Sequence, residues 1–332
     1  MTTLNNVKQY EVAIVIPIGP GHRPWLESSI KSIACQNADV GIAICACEDS
    51  SSLQDLIKRY RDIITYVRIG PDNGQSAAVN EGWRNVSAKI YSWLNDDDML
   101  HPNALEHVLS CFKETNCDVV HGISDIWKDG TITPGYGNSP VTESLLRDNV
   151  IAQPSTFVQS EALSKVQLEY GPLAEDRHFT MDWDLWQRLY QSGAKFAAID
   201  RPLSLTRWYK ETKTGSASLQ KYKEYAALLK RNTSTARLLW SLTNIFLHNQ
   251  SIYGHLAPLF RNVTRFLFTR HQTPAPLKPK EMELFHFEDT PQIPHVTTDE
   301  QDIALEPLQP GEVLSTAAHS ARFSAVHTPS KP

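Results

Sequence analysis

The sequence predicts an α/β protein built on a mostly parallel, Rossmann-like sheet with helices on both faces. Three observations predict it. Apolar runs of strand length alternate with helical patterns through the first hundred residues. The runs are almost continuously apolar, as in strands covered on both sides. Polar residues then gather where the second and fourth runs end, the rim at which open α/β sheets bind ligands.

In order, residues 12–18 (Val-Ala-Ile-Val-Ile-Pro-Ile) form the first buried strand, closed by Gly19-Pro20-Gly21. Residues 25–33 carry apolar side chains at helical spacing. A second strand over 40–47 ends in Glu48-Asp49-Ser50-Ser51; a helix over 53–60 and a third strand over 63–69 follow. Asn73-Gly74-Gln75-Ser76 opens a helix over 77–86, and 89–94 is the fourth strand. Next come a helix over 103–112, a short strand over 118–121, and a hairpin over 126–132 with Asp129-Gly130 at its turn. Residues 151–158 read as extended, 181–190 as a helix, and 196–199 and 203–207 as strands. Three regions result: a catalytic domain over 1–217, a helical extension over 218–270, and a tail over 271–332. The tail holds nine of the twenty prolines and reads as disordered or extended.

Charge narrows the function classes. The formal net charge is −5, and residues 276–332 carry nine acids against four bases, so the tail holds the whole excess. Nothing in this balance points to nucleic acid. The five cysteines show no zinc spacing, and their odd number without an apolar leader predicts reduced thiols and a cytoplasmic location. No run approaches the roughly 18 apolar residues of a membrane span. Residues 231–270, however, contain five arginines and no acid, interleaved with aromatic and aliphatic side chains. Two readings of that stretch stand: a helix lying on anionic lipid at the inner face of the membrane, or a bracket packed on the catalytic domain or on a second copy in a homodimer.

The fourth strand ends in Leu94-Asn95-Asp96-Asp97-Asp98, three carboxylates in a row. Such acids persist only beside a positive charge or in water. They suit a divalent metal with a phosphate-bearing substrate, because Mg²⁺ and Mn²⁺ prefer oxygen ligands. They also suit a solvated turn ahead of the next helix.

Five segments stand in order: Pro17 at the end of the first strand, Cys47-Glu48-Asp49-Ser50-Ser51, the run from Asp72 to Gly82, Leu94-Asn95-Asp96-Asp97-Asp98, and Met181-Asp182-Trp183-Asp184-Leu185-Trp186. Together they resemble the inverting nucleotide-sugar glycosyltransferases of family 2, which have the GT-A fold, over roughly residues 11–218. The resemblance implies that the backbone at Pro17 and Ile18 packs on the nucleobase. It implies that Asp49 accepts a hydrogen bond from that base, typically uracil, as a carboxylate can from an imide N–H. Asn95-Asp96-Asp97 matches the metal motif with Asn in the first acid position. On that match Asp97 is the ligand for Mn²⁺ or Mg²⁺, Asp98 replaces the missing acid or stands behind it, and Asp96 faces the ribose. Asp182 matches the base that deprotonates the acceptor hydroxyl, Asp184 is left to the helix dipole, and Gln153 and Trp183 are expected on the acceptor side. Arg207 and Lys213 match the closing loop and suit a diphosphate, although Tyr209 stands where His is frequent. The partners implied are a nucleotide-sugar donor and a glycan or lipid-linked acceptor of bacterial surface-polysaccharide type. Two alternatives remain at this point. A sugar nucleotidyltransferase would want a basic, Gly-rich loop near the first strand, which Gly19-Pro20-Gly21-His22 fits poorly. A non-catalytic relative that only binds would explain Asn95 and Tyr209.

Overall fold

A computed structural model of the chain describes residues 8–21, 23–209 and 219–232. Strands β1 (Tyr10–Ile18), β2 (Val40–Ala46), β3 (Ile64–Ile69) and β4 (Ala88–Trp93) alternate with helices α1 (Leu26–Ala34), α2 (Ser51–Arg59) and α3 (Gln75–Asn85). The strands lie in the order β3-β2-β1-β4 and are all parallel. Parallel neighbours need crossover helices, so this half of the sheet is covered and its strands are apolar throughout. In β1 only Glu11 is exposed. Ile14, Ile16, Ile42 and Ile44 pack with Ile30 and Ile33 of α1 and Ile57 of α2. α3 sits tightly on β1, since a Cβ added at Gly82 would come within 2.6 Å of Val15.

Beyond β4 the chain forms β5 (Met99–Leu100), α4 (Ala104–Thr115), β6 (Val119–Lys128), β7 (Thr131–Tyr136), β8 (Thr156–Gln159), α5 (Ser160–Lys165), α6 (Met181–Gln191), β9 (Phe196–Arg207) and α7 (Leu219–Asn232). The sheet continues past β4 as β8-β6-β9-β5, with β7 paired to β6. Here it is mixed: β8 runs antiparallel to β4 and β6, β5 runs antiparallel to β9, and β6 and β9 are parallel. The change follows from the sequence, because helix-length crossovers no longer separate every strand. The predicted hairpin turn is present, with Asp129 at φ 50° and Gly130 at φ 81°, both in the left-handed region that such a turn requires. The two strands expected at 196–199 and 203–207 are one strand, β9. Its pairing with β6 shifts register around Gly122 and Ile123, which absorbs Pro202. All five cysteines are free.

Three tryptophans join the sheet to α6. Trp93 of β4 lies 5.7 Å from Trp83 of α3 and stacks at 5.8 Å on Trp186 of α6. This packing sets α6 beside the rim where β1, β2 and β4 end. Of the predicted helical extension, α7 covers 219–232. The remainder of 231–270 and the tail lie outside the described residues. Among the described residues no helix is long and apolar enough to cross a membrane.

Candidate active site

The Asp triplet occupies a tight turn, in which the Asp98 N–H donates to the Asn95 carbonyl at 3.1 Å. The three carboxylates have three environments. Asp96 is 7% exposed, with Oδ2 3.1 Å from Arg23 Nε but off the hydrogen-bonding direction. Burial pushes its carboxyl up to about 7; Arg23 opposes the shift and the Asp97 charge adds to it. Asp97 is half-buried, and its Oδ2 accepts from the Tyr209 hydroxyl at 2.7 Å. Asp98 is buried and accepts from Asn95 Nδ2 at 2.9 Å and from the Arg207 N–H at 3.3 Å. Burial, and then the Asp97 charge, hold the Asp98 carboxyl well above the usual range. Asn95 has a reason to be an amide here. It donates to Asp98 and accepts from Gln75 Nε2 at 2.6 Å, and a fourth carboxylate could not donate.

The flanks follow from the strand ends. Pro17 and Ile18 close β1, and the Ile18 carbonyl accepts from the Cys47 N–H at 3.0 Å. Asp49 is exposed just past β2, with both oxygens near Gln54 Nε2 at 3.0 and 3.2 Å. The side-chain cap of α2 is Ser50, bonded to the Leu53 N–H at 3.2 Å, so Asp49 is not used up as a helix cap. On the opposite side the guanidinium of Arg207 donates to the Asp97 carbonyl and lies 5.4 Å over the Trp25 ring. Tyr209 packs on the same Trp25 ring at 4.7 Å. Gln153 donates to the Trp93 carbonyl at 2.7 Å and accepts from Asn95 at 3.4 Å, which places it behind the triplet turn. Lys213 lies outside the described residues.

The two acids of α6 part company. Asp182 is half-buried and accepts from Asn149 Nδ2 at 3.1 Å. Asp184 is 1% exposed and holds two arginines, Arg188 at 2.8 Å and Arg231 of α7 at 2.7 Å. It is an ion-pair hub inside the fold, a larger job than the helix-dipole role expected of it. Trp183 corrects the expectation of an acceptor contact. It is 1% exposed, its indole N–H donates to the Leu145 carbonyl at 2.6 Å, and its ring lies 5.6 Å from Tyr225 of α7. One residue on from Asp182, a helix has turned about 100°, which takes this side chain into the core.

The triplet turn and the start of α6 are linked through α3. Gln75 at the start of α3 holds Asn95, and its neighbour Ser76 reaches Met181 Sδ at 3.3 Å, next to Asp182. Tyr136 is 53% exposed, yet desolvation raises its phenol above the usual range, and the Asp182 and Asp98 charges both add to that shift. A cavity of about 290 Å³ opens beside this link, lined by Asn73, Gln75, Ser76, Glu175, Arg177 and Gln220 among others. Arg23, Gln75 and Asn149 are site residues that the sequence reading passed over. Arg23, just past the first strand end, and Gln75, inside the run from Asp72 to Gly82, stood where a sequence signal lay; Asn149 did not.

Among the described residues no group of three or more His, Cys, Asp and Glu side chains could hold a metal ion alone. The donors do fit a divalent ion shared with a diphosphate, which needs only one or two carboxylates from the protein. Asp97 is half-buried at the rim, and Asp96 Oδ2 is a buried oxygen without a hydrogen-bond donor.

A family model described as glycosyl transferase family 2 matches residues 14–160, from β1 through β8. An uncharacterized glycosyltransferase of Rickettsia prowazekii (strain Madrid E) is 23% identical over 239 residues, 67% of this chain and 71% of its own length. The poly(ribitol-phosphate) β-N-acetylglucosaminyltransferase TarP of Staphylococcus aureus (strain N315) is 23% identical over 144 residues, 41% of this chain and 44% of its own. Among solved structures, S. aureus TarS 1–349 in complex with UDP-GlcNAc superposes with a TM-score of 0.54 at 12% identity, over 78% of this chain and 76% of that one. Mannosyltransferase PcManGT from Pyrobaculum calidifontis, in complex with GDP-Man and Mn²⁺, gives 0.52 at 12% identity, over 79% and 82%. At such identities the superpositions speak to the fold, which is GT-A. With a family model lying on the strands that build this rim, and relatives named as glycosyltransferases aligned across it, residues 14–160 carry a family 2 glycosyltransferase domain.

Proposed function

We propose that this glycosyltransferase moves a sugar from a UDP-sugar to a hydroxyl of a glycan or lipid-linked acceptor, inverting the anomeric centre. The observation that carries the reading is the link from the triplet turn through Gln75 and Ser76 to the start of α6, which keeps a carboxylate-rich donor rim beside Asp182. In this reading the backbone at Pro17 and Ile18 lies against the base, and Asp49 accepts from its imide N–H. Asp96 faces the ribose. Asp97 is the ligand for Mn²⁺ or Mg²⁺; when bound, that ion supplies Lewis-acid neutralisation of the departing diphosphate. Arg207 adds a fixed cation on the same side. Asp98, with both oxygens engaged inside the turn, shapes the loop that presents Asp97. Asp182 takes the proton of the acceptor hydroxyl as its oxygen bonds to the anomeric carbon and the bond to the diphosphate breaks. Gln153 is kept on the acceptor side from the resemblance alone, since its contacts are to Asn95 and the Trp93 carbonyl.

The named ligands of the relatives support this choice. TarS was solved with UDP-GlcNAc, PcManGT with GDP-Man and Mn²⁺, and TarP is named for a poly(ribitol-phosphate) acceptor. Surface-polymer glycosylation is the context we favour, with the enzyme cytoplasmic. The test is release of nucleoside diphosphate from a panel led by UDP-GlcNAc and GDP-mannose, with and without Mn²⁺. Metal-dependent release from one donor, lost in both Asp97→Ala and Asp182→Asn, is the expected result. Nucleotide binding with no turnover on any donor or acceptor would instead mark a binding subunit, and pyrophosphate as product would mark a nucleotidyltransferase.

A further inference from the structure

The start of α6 is held from outside its own sequence neighbourhood. Thr180, the N-cap residue, makes no side-chain bond to the helix. Instead the backbone N–H groups of His178, Phe179 and Thr180 converge on the carboxylate of Glu224, on α7, at 2.8–3.2 Å. The Thr180 hydroxyl donates to it as well, at 3.2 Å. Glu224 is 7% exposed. Successive N–H groups at a helix start form an anion-binding nest, and the helix dipole adds to its pull. Burial works against the charge, but the donors outweigh it, and the Glu224 carboxyl sits below the usual range. Here the anion comes from the chain itself.

Two further contacts extend the brace along α6. Arg231 pairs with Asp184 at 2.7 Å, and Asn232 donates to Gln187 at 3.0 Å. At the other end of α7, Gln220 lines the cavity beside Gln75 and Ser76 and donates to Glu224 at 3.1 Å.

We infer that Glu224 is a positioning residue for Asp182: by gathering the N–H groups of residues 178–180 it fixes where the first turn of α6 places that carboxylate. The inference rests on Asp182 being the base. It makes α7 part of the catalytic unit, although α7 lies beyond both the matched residues 14–160 and the boundary at 217 drawn from the sequence. Gln220 gives the cavity a hydrogen-bonded path to the helix that carries the base, so a hydroxyl-rich group bound there touches the brace itself.

The test uses the full chain as wild type, Glu224→Ala, Glu224→Gln and Asp182→Asn. For each, kcat and donor KM are read from nucleoside-diphosphate release, UDP affinity is measured with Mn²⁺, and amide exchange is followed over residues 176–186. For Glu224→Ala we expect kcat to fall roughly 10- to 100-fold, the cost of a misplaced catalytic group. Donor KM and UDP affinity should stay within about threefold of wild type, since the donor rim is untouched. Exchange at 178–180 should speed up. Glu224→Gln, which keeps one acceptor oxygen, should recover part of kcat. A Glu224→Ala enzyme with wild-type kcat, or one whose kcat and UDP affinity fall together, overturns the inference. The two ideas separate cleanly: an inactive Asp182→Asn beside a fully active Glu224→Ala sinks the positioning role alone, whereas a fully active Asp182→Asn sinks the base assignment and the positioning role with it.

Discussion

The proposed donor flank, at the ends of β1 to β4, and the proposed acceptor flank, at the start of α6, are braced differently. On the donor flank several polar partners are close in sequence, although Tyr209 and Arg207 reach the triplet from over a hundred residues away. Gln54 holds Asp49, Arg68 holds Asp72 at 2.8 Å and Glu81 at 2.9 Å, and Asn95 holds Asp98. On the acceptor flank, apart from the local Arg188–Asp184 pair, the partners are distant: Asn149 for Asp182, Arg231 for Asp184, Glu224 for the turn before both. A strand rim can be assembled locally, because consecutive crossovers deliver consecutive strand ends to one edge. A helix start facing that rim must be held by whatever packs over it. The donor flank is therefore expected to keep its nucleotide affinity under changes that ruin the acceptor flank.

The sharpest way to break this comparison is to remove its two principal carboxylates. Asp182→Asn should lower kcat by about 10²–10⁴ while leaving UDP affinity intact, the range for loss of a general base. Asp97→Ala should lose turnover and the Mn²⁺ dependence of UDP binding together. Paired kinetic and calorimetric titrations check both, and equal losses of binding in the two variants would erase the distinction between flanks. Next in size, Arg68→Met strips a buried cation from Asp72, Glu81 and the Ala46 and Gly70 carbonyls. Orphaning buried partners in this way costs about 3 kcal/mol. Arg231→Ala, at a half-exposed arginine, should cost less than about 1 kcal/mol of stability. Urea unfolding of the two variants compares them directly.

Asp96→Asn acts on the donor flank with the opposite sign. The folded carboxyl is raised to about 7, so folding favours its protonated form. Its contribution is fully favourable below the unfolded pKa of about 4 and is lost as pH rises through about 7. The Asn variant should thus be more stable than wild type by about 1–3 kcal/mol at pH 8. That gain should shrink on acidification and be gone below about pH 4, as melting curves across pH will show. Smallest of all, Tyr209→Phe deletes one hydrogen bond to Asp97 but keeps the ring on Trp25. A shift of about 1 kcal/mol, near fivefold in Mn²⁺-dependent UDP affinity, is expected.

The donor flank was legible because its signals are short-range. Buried strands announce themselves as apolar runs, and Asp49 and Asp97 stand where those runs stop. The acceptor flank was only half legible. Asp182 matched a family motif, but its supports did not show: Glu224, in Gln-Lys-Tyr-Lys-Glu-Tyr, reads like any solvated helix charge until α7 is laid on α6. Trp183 misled for a related reason. Acids on both sides suggested an open platform, whereas the partners that bury it, Leu145 and Tyr225, lie some forty residues away on either side. Arg68 was passed over inside a strand because its four partners converge only when β2, β3 and α3 pack. β5, two residues long, is too short for any periodicity.

One feature of the sheet order has a mechanical side. β4 and β5 are joined by only five residues, 94–98, yet three other strands stand between them in the sheet. Laid flat, four strand spacings would separate them by about 19 Å, and a connection folded into a turn cannot reach that far. The sheet is rolled like a cuff, and the carboxylates sit on the clasp that fastens it. The length of that clasp then sets how far the cuff can open. An added residue between Leu94 and Met99 would slacken the whole wall of the donor pocket, while the same insertion at the Asp129-Gly130 tip would lengthen a loop and nothing more.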